Sequence, residues 1–349
     1  MLNQPTVEAR WRLPAEWEPQ DATLLAWPYE GSDWTPVLRY AQRTYRELIA
    51  AIRRYQPVVL CIRGEDLLTE DCWSDPGGKH PVIVVPTEYD DTWLRDTAPL
   101  TLFDDLGRPA WANFVFDGWG GRSHHPLDAS LASRLWAEPQ FNKLPFQNYP
   151  YVMEGGAIDS DGMGTVMTTT RCWRSRDTDF SKRRIAANLG LHLGAERVLW
   201  LDHGELLGDD TDSHIDMLAR FAPDNTIIYQ GCQLPSDPHY PFMQSMRAQL
   251  ETFRTLSGKP YRLLELPMPS PVGTGRYRCP ATYANFLVLN NAVLMPTYGD
   301  EEHDQQASRV ISTAFPGFEV VGIDCRVLIT QGGAVHCATM NLPLGALRH

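Results

Sequence analysis

The stretch RVLWL (197–201) runs directly into DHGELLGDDTDSHID (202–216), so that a short apolar run gives way at once to an acidic loop. Continuous apolar runs of this length, bounded by Gly, Pro or acidic residues, predict buried strands. The same unit recurs at TLLAWP (23–28), PVVLCI (57–62), PVIVVP (81–86), NAVLMP (291–296) and RVLIT (326–330). In addition, YVMEGGAIDSDGMGTVMTT (151–169) holds a loop between two short strands.

Amphipathic segments separate several of these strands. One-sided apolar spacing predicts helices over residues 37–56 and 241–257, the second ending at Gly258 and Pro260, and a third helix over 301–314. Recurring strand–loop–helix units indicate an α/β protein that is compatible with internal repetition. Because no linker or charge block interrupts residues 1–349, we expect one domain with its functional residues on loops at strand ends.

Composition and charge narrow the classes of partner and compartment. A net charge of −12 disfavours nucleic acid and anionic membranes, which both need a positive face, and mildly favours a cationic ligand. Neither a secretory signal nor a membrane span is visible, so we expect a cytoplasmic protein. The seven cysteines include no C-x-x-C pair, which argues against both a disulfide framework and a thiolate zinc site.

ITQGGAVHCATMNLP (329–343) contains the strongest candidate nucleophile. Two glycines before Cys337 allow a sharp turn on which a thiol is open to attack, although a lone cysteine is more often a buried structural residue. If this segment is a strand, His336 points to the opposite face and is a poor base for Cys337.

GDDTDSHIDMLARF (208–221) offers an imidazole and a carboxylate two residues apart. On an extended segment His214 and Asp216 share a face, which suits one substrate and suits a bound metal equally well. The acids Asp209, Asp210 and Asp212 are also typical of a solvated turn.

Two further loops carry carboxylates. TWLRDTAP (92–99) places Asp96 just beyond a tryptophan, where pairing with Arg95 is the simpler alternative. MEGGAIDSDGMGT (153–165) places Glu154 before two glycines, while Asp159 and Asp161 are typical of a hairpin turn.

Several carboxylates around a thiol raise the thiol's pKa, which suits a substrate that is itself a cation. A guanidinium is planar, permanently charged and can be held by two carboxylates through paired hydrogen bonds. At ~4 Å and an effective dielectric of ~20, each such pair is worth about 4 kcal/mol before desolvation. A bound cation also favours the thiolate.

The motifs resemble, in order, those of the agmatine deiminase and bacterial peptidylarginine deiminase family of the guanidino-modifying superfamily. The resemblance runs almost end to end and rests on PAEWEPQDATLLAWP (14–28), WLRDTAP (93–99), FDGWGGR (116–122), EGGAIDSDGMGT (154–165), DDTDSHID (209–216) and GGAVHC (332–337). It implies a five-bladed, pseudo-symmetric α/β propeller of the pentein type.

The resemblance also implies roles for individual residues. Cys337 is then the nucleophile, His214 the general acid and base, and Asp96 and Asp216 the clasp of the guanidinium. Glu154 orients His214 or holds a guanidinium nitrogen. Trp93 and Trp119 line the slot for the alkyl chain, and Asp210 is the candidate for the substrate's far amine.

The implied reaction is hydrolysis of agmatine to N-carbamoylputrescine and ammonia, a step of polyamine biosynthesis. It passes through a thiouronium on the cysteine and needs neither metal nor organic cofactor. The binding partner is then a small cationic guanidino compound. A homo-oligomer is also compatible with the sequence.

Five positions depart from the family pattern and affect loops around the substrate tail: Ala98, Asp159, Ser213, Gln331 and Ala334. Peptidylarginine deimination is therefore the first alternative. An amidinotransferase would share the thiouronium, and a metal-dependent hydrolase could use His214, Asp216, Asp96 and Glu154 as ligands.

Overall fold

The computed structural model describes residues 10–63, 77–274 and 277–348. The strands in these ranges are β1 (Trp11–Arg12), β2 (Gln20–Ala26), β3 (Val58–Ile62), β4 (Val82–Pro86), β5 (Leu100–Asp104), β6 (Pro109–Val115), β7 (Phe146–Val152), β8 (Ile158–Ser160), β9 (Thr165–Thr169), β10 (Arg197–Leu201), β11 (Ala219–Ala222), β12 (Thr226–Gln230), β13 (Arg262–Leu266), β14 (Gly273–Thr274), β15 (Tyr277–Arg278), β16 (Leu287–Leu289), β17 (Ala292–Thr297), β18 (Glu319–Asp324) and β19 (Thr339–Pro343). The helices are α1 (Leu38–Ile52), α2 (Leu94–Thr97), α3 (Gly118–Gly121), α4 (Leu131–Ala137), α5 (Thr170–Arg176), α6 (Lys182–Leu193), α7 (Tyr240–Leu250) and α8 (Glu301–Ala314).

Each of the five larger sheets of the described ranges contains one β–α–β unit. The parallel pairs β2/β3, β6/β7, β9/β10, β12/β13 and β17/β18 are each joined through helices. Parallel neighbours need such a crossover, because their ends lie on opposite edges of the sheet. An antiparallel strand flanks each unit on the other side: β19, β5, β8, β11 or β16.

One sheet joins strands from near both ends of the described chain. Strand β19, near the C-terminus, pairs with β2, and the order of that sheet is β19-β2-β3-β4. Strands β2 and β19 are buried throughout. This long-range pairing connects the C-terminal part of the described chain to its N-terminal part.

The mixed α/β class is confirmed, and most predicted elements are present. The run 197–201 is strand β10, and α8 spans 301–314 as predicted. Two helices are shorter than predicted: α1 ends at Ile52 and α7 ends at Leu250. Residues beyond Leu250 leave the helix through a turn, and Arg254 pairs with Pro260 in an isolated bridge.

The predicted strand over RVLIT (326–330) is wrong. Residues Leu328–Gln331 form a 3₁₀ helix that ends at Gly332, whose φ of 88° lies in the left-handed region. Leu328 and Ile329 are fully buried. A buried apolar run has the same composition in either conformation, so composition alone could not distinguish them.

Five equivalent loops carry the chemistry-bearing residues. Each loop immediately precedes the antiparallel strand of its unit: Asp96 comes before β5, Glu154 before β8, Asp216 before β11, Asn285 before β16 and Cys337 before β19. As expected, these loops follow the parallel strands β4, β7, β10, β13 and β18, and their last residues lead into the antiparallel strands. Repetition of the unit therefore brings one polar loop per sheet to a common place.

Candidate active site

Cys337 lies in a turn just before β19 and is 5% exposed. Its Sγ accepts a hydrogen bond from Asn285 Nδ2 at 3.0 Å and lies 3.5 Å from Asp216 Oδ2. Burial, followed by the charges of Asp216 and Asp96, raises the pKa of the Cys337 thiol well above its ordinary value. Without a substrate the group is therefore a thiol, and a bound cation would favour its ionisation.

Asp96 is not paired with Arg95, so the simpler alternative for this loop is wrong. The two carboxylate oxygens of Asp96 accept hydrogen bonds from Trp119 Nε1 and from the Gly156 amide, each at 2.9 Å. Arg95 instead donates to Asn341 Oδ1 at 2.6 Å. Burial raises the pKa of Asp96 above its ordinary value, although the nearby His214 opposes the shift. Two fixed donors leave Asp96 held in one orientation.

His214 is completely buried between two carboxylates. Its Nδ1 lies 3.7 Å from Asp96 Oδ1, and its Nε2 lies 3.8 Å from Glu154 Oε2. Burial by itself lowers the pKa of His214, but Asp96, Cys172 and Glu154 outweigh burial and raise the pKa well above its usual range. The ring is therefore an imidazolium at neutral pH and can donate a proton.

Gly156 allows the side chains of His214, Asp96 and Asp216 to lie close together. A Cβ at this position would lie 2.7 Å from His214 Nδ1, 2.9 Å from Asp96 Oδ1 and 3.1 Å from Asp216 Oδ2. Only glycine leaves room for three functional side chains around one backbone atom. Residues 215–217 form a 3₁₀ turn rather than the extended segment expected, yet His214 and Asp216 still reach the same place.

Arg176 and Cys172 also contact the Glu154 carboxylate. Its Oε1 accepts a hydrogen bond from Arg176 Nε at 2.6 Å, and Oε2 lies 4.0 Å from Cys172 Sγ. Burial raises the pKa of Glu154, but the nearby charge of His214 and the hydrogen bond from Arg176 outweigh burial and lower the pKa overall. Glu154 is therefore an ionised carboxylate that faces His214.

A second buried group, not predicted from the sequence, holds Asp216. His336 was treated as a strand residue facing away, but it lies in a turn, and its Nδ1 is 2.7 Å from Asp216 Oδ2. Its Nε2 is 2.9 Å from Glu16 Oε2, and Arg220 also donates to Glu16. Asn285 was missed as well; its place before β16, equivalent to that of Cys337 before β19, was the available signal.

A cavity of about 390 Å³ opens above these groups. Its lining includes Cys337 and Asp96 together with all three predicted tail residues: Trp93, Trp119 and Asp210. Asp33 and Asp91 line it too, and neither was singled out from the sequence. Arg122 also lines the cavity, with its Nη2 2.7 Å from Asp212 Oδ2. The charged part of the lining is thus mainly acidic.

Within the described ranges, the residues close enough together to bind a metal ion are not the four that the sequence suggested as metal ligands. Ligand atoms of Glu154, Cys172 and His214 lie within 4.8 Å of one another. The other two acids of the sequence-based set bond elsewhere: Asp96 to Trp119, and Asp216 to His336.

The family model described as Porphyromonas-type peptidyl-arginine deiminase matches residues 12–343. The chain belongs to this family. It is 29% identical to the agmatine deiminase of Stutzerimonas stutzeri (strain A1501), over 96% of each chain. It is similar to a solved agmatine deiminase of C. jejuni with its substrate bound: 32% identity, TM-score 0.89, and coverage of 99% of this chain and 100% of that one. A solved Porphyromonas gingivalis chain, provisionally named an arginine deiminase, is 38% identical with a TM-score of 0.88, covering 97% and 100% of the two chains.

The structure shows the surroundings of the five residues that depart from the family pattern. Ser213 takes a φ of 65°, a conformation natural for the glycine common there in the deiminase family, and its amide donates to Asp209 Oδ2 at 2.6 Å. Asp159 lies 3.2 Å from Arg220 Nε rather than at the cavity. Ala98 ends α2 in extended conformation, Gln331 lines the cavity, and Ala334 is buried. Within the residues described, no helix is both long enough and apolar enough to cross a membrane.

Proposed function

We propose that this protein hydrolyses the guanidinium of agmatine to N-carbamoylputrescine and ammonia, through a thiouronium on Cys337. The observation that carries the proposal is a single cavity whose lining joins Cys337 and Asp96 to three further carboxylates: Asp33, Asp91 and Asp210. A cation at each end of the substrate matches an acidic cavity of this kind. Agmatine has two such cations joined by an alkyl chain, for which Trp93 and Trp119 offer apolar walls.

The first half-reaction uses groups already oriented toward Cys337. Asp96 and Asp216 hold the guanidinium, and its charge favours loss of the Cys337 proton to solvent. The thiolate adds to the central carbon, forming the C–S bond. His214, as imidazolium, transfers a proton to one guanidinium nitrogen, the C–N bond breaks, and ammonia leaves. General acid catalysis of this type contributes about 10²–10⁴ in rate.

In the second half-reaction His214 acts as a base. Neutral after the first step, it takes a proton from water, and the hydroxide adds to the thiouronium carbon. The C–S bond then breaks and restores the thiolate, the added hydroxyl group loses its proton to solvent, and the neutral ureido product leaves. Glu154 favours the imidazolium form of His214 in both steps, since it presents its Oε2 to Nε2. No step requires a metal or organic cofactor.

We further propose that the five sheets are five blades of a propeller of the pentein type, with the site on the axis. Support comes from the five β–α–β units and from the five loops that meet at one place. A cavity closed in by blades on all sides would admit a narrow alkylguanidine more readily than a peptide backbone.

An ammonia-release assay over agmatine, free arginine and a blocked arginine peptide tests the substrate. We expect the largest kcat/KM for agmatine. Free arginine should be poor, because its carboxylate would meet Asp33, Asp91 and Asp210 while Arg122 is already paired with Asp212. Faster turnover of the blocked peptide would replace agmatine by peptidylarginine and leave the deiminase chemistry standing. Transfer of the amidino group to an added amine, in place of ureido product, would indicate an amidinotransferase.

A further inference from the structure

Cys172 is a buried thiol for which the proposed reaction has no use. It lies on α5, and its Sγ is 4.0 Å from Glu154 Oε2, the same oxygen that is 3.8 Å from His214 Nε2. A thiol, a carboxylate and an imidazole, each fully buried, thus present ligand atoms within 4.8 Å of one another.

His214 supplies an independent sign of a missing ligand. Both of its ring nitrogens are buried without a hydrogen-bond partner. Buried polar atoms almost always have a partner, so an imidazole with none on either side is unusual. Glu154, by contrast, has one oxygen bonded to Arg176 at 2.6 Å, which aims the other toward His214 and Cys172.

We propose that Glu154, Cys172 and His214 form an inhibitory binding site for a thiophilic divalent cation such as Zn²⁺. Binding itself depends only on these three side chains; its effect on turnover rests on the proposed function, in which His214 carries the proton. Thiolate sulfur, imidazole nitrogen and carboxylate oxygen are the ligands that Zn²⁺ prefers. Ca²⁺ and Mg²⁺ prefer all-oxygen sites and are poor candidates.

The spacing fits one ion after small side-chain adjustments. Ligands at ~2.0–2.3 Å from a tetrahedral Zn²⁺ are roughly 3.5 Å from each other. The separations, 3.8 and 4.0 Å to Glu154 Oε2 and at most 4.8 Å within the set, must contract toward the ion. On binding, the Cys172 thiol and the His214 imidazolium each release a proton to solvent, and both become ligands of the ion.

Occupation of this site would stop turnover without touching the nucleophile. The lone pair of His214 Nε2 would be committed to the ion, so that His214 could neither protonate ammonia nor deprotonate water. Cys337 would stay free, which separates this site from adventitious metal capture by the reactive thiol. Because Glu154, Cys172 and His214 are all buried, we expect inhibition to develop slowly after mixing.

The experiment measures binding and inhibition separately. Co²⁺ is titrated into Cys337→Ala, which needs no turnover, and the thiolate-to-cobalt charge-transfer absorption is followed; Zn²⁺ inhibition is measured on wild type. We expect one equivalent of Co²⁺ with that absorption, and inhibition by Zn²⁺ that EDTA reverses. Cys172→Ser should lose the absorption and weaken inhibition at least tenfold, whereas the matched change Cys279→Ser, at a half-buried thiol, should alter neither.

Three results would overturn the proposal: Cys172→Ser that keeps both signals, the absence of a thiolate-to-cobalt charge-transfer absorption in Cys337→Ala, or apo-enzyme that Zn²⁺ activates. The last would also overturn the metal-free reaction, while the first two leave it intact. If Cys172→Ser does not fold, anomalous scattering from Zn²⁺-soaked wild-type crystals decides the matter. The expected peak lies among Glu154, Cys172 and His214, and a peak on Cys337 contradicts it.

Discussion

The Glu16 carboxylate lies 2.9 Å from Nε2 of His336, although 320 residues separate the two in sequence. The other ring nitrogen of His336 is 2.7 Å from Asp216 Oδ2. Asp216 Oδ1 is buried and has no hydrogen-bond partner. The chain Glu16–His336–Asp216 therefore fixes one oxygen of Asp216 and leaves the other available to a substrate, in keeping with the role proposed for Asp216.

We predict that Glu16→Gln lowers kcat/KM by about two orders of magnitude and also lowers Tm. The amide cannot balance the buried Arg220, and loss of one partner from a buried charge pair costs about 3–5 kcal/mol. A positioning role predicts partial rescue by Glu16→Asp and an altered pH profile of kcat/KM. Steady-state kinetics and thermal unfolding measure these effects.

The matched control is Glu18→Gln. Glu18 pairs with Arg12 in a more exposed position, with side chains 29% and 40% exposed. It should keep wild-type kcat/KM. If Glu16→Gln and Glu18→Gln behave alike, Glu16 does not position Asp216.

Gly156→Ala tests the convergence of the three charged side chains. The added methyl would lie between 2.7 and 3.1 Å from atoms of His214, Asp96 and Asp216, so that all three must shift. A misplacement of about 1 Å can cost 10²-fold in rate. We therefore expect at least a hundredfold loss in kcat/KM. Gly190→Ala, on α6, meets a single carbonyl oxygen at 3.1 Å and should keep kcat/KM. An active Gly156→Ala would show that the substrate does not need this geometry.

The sequence predicted the class of fold and the residues that converge, because strand runs and polar loops are local patterns. Cys337, His214, Asp96, Asp216 and Glu154 were all named from their motifs, and all lie together. The pairing of β19 with β2 could not be read in this way, since it joins segments more than 300 residues apart. Long-range pairing depends on how all five units pack.

Glu16, His336 and Asn285 show a different limit. Nothing local distinguishes Glu16 from Glu18 in PAEWEP (14–19); only the fold brings the first to a buried histidine and leaves the second at a half-exposed arginine. His336 was set aside because its segment was taken for a strand. The turn observed there reverses that argument, since neighbours in a turn need not face opposite sides.

Cys337→Ala should abolish turnover while the protein stays folded, since no other described thiol lines the cavity. With His214→Ala, the first addition can proceed only slowly and the adduct cannot be hydrolysed efficiently. Peptide mass spectrometry after incubation with agmatine should therefore find the added mass on the peptide that contains Cys337. An adduct on the Cys172 peptide, or turnover by Cys337→Ala, would contradict the mechanism.

The raised pKa of Asp91 predicts how the affinity of the cavity for a dication changes with pH. Burial, with further contributions from the charges of Asp128, Asp33 and Asp90, raises the pKa of Asp91 to about 7, although the Thr92 amide opposes this. Below that pH, Asp91 is protonated and attracts an ammonium weakly; above it, the carboxylate attracts the ammonium fully. The Kd of agmatine for Cys337→Ala should therefore fall as the pH rises through about 7. An alkylguanidine without the amine should show a flatter profile.

The raised pKa of Asp91 has the opposite effect on the stability of the substrate-free protein, which falls as the pH rises. A carboxyl whose folded pKa is raised contributes stability at low pH that is lost as the pH rises through the folded value, here about 7. Asp91→Asn should thus flatten both profiles, weakening agmatine binding above pH 7 while preserving stability there. Asp128 also has a pKa raised by burial to about 7, but it does not line the cavity. If Asp91→Asn leaves the pH dependence of the agmatine Kd unchanged, Asp91 does not hold the amine, and Asp210 becomes the carboxylate to test by the same measurement.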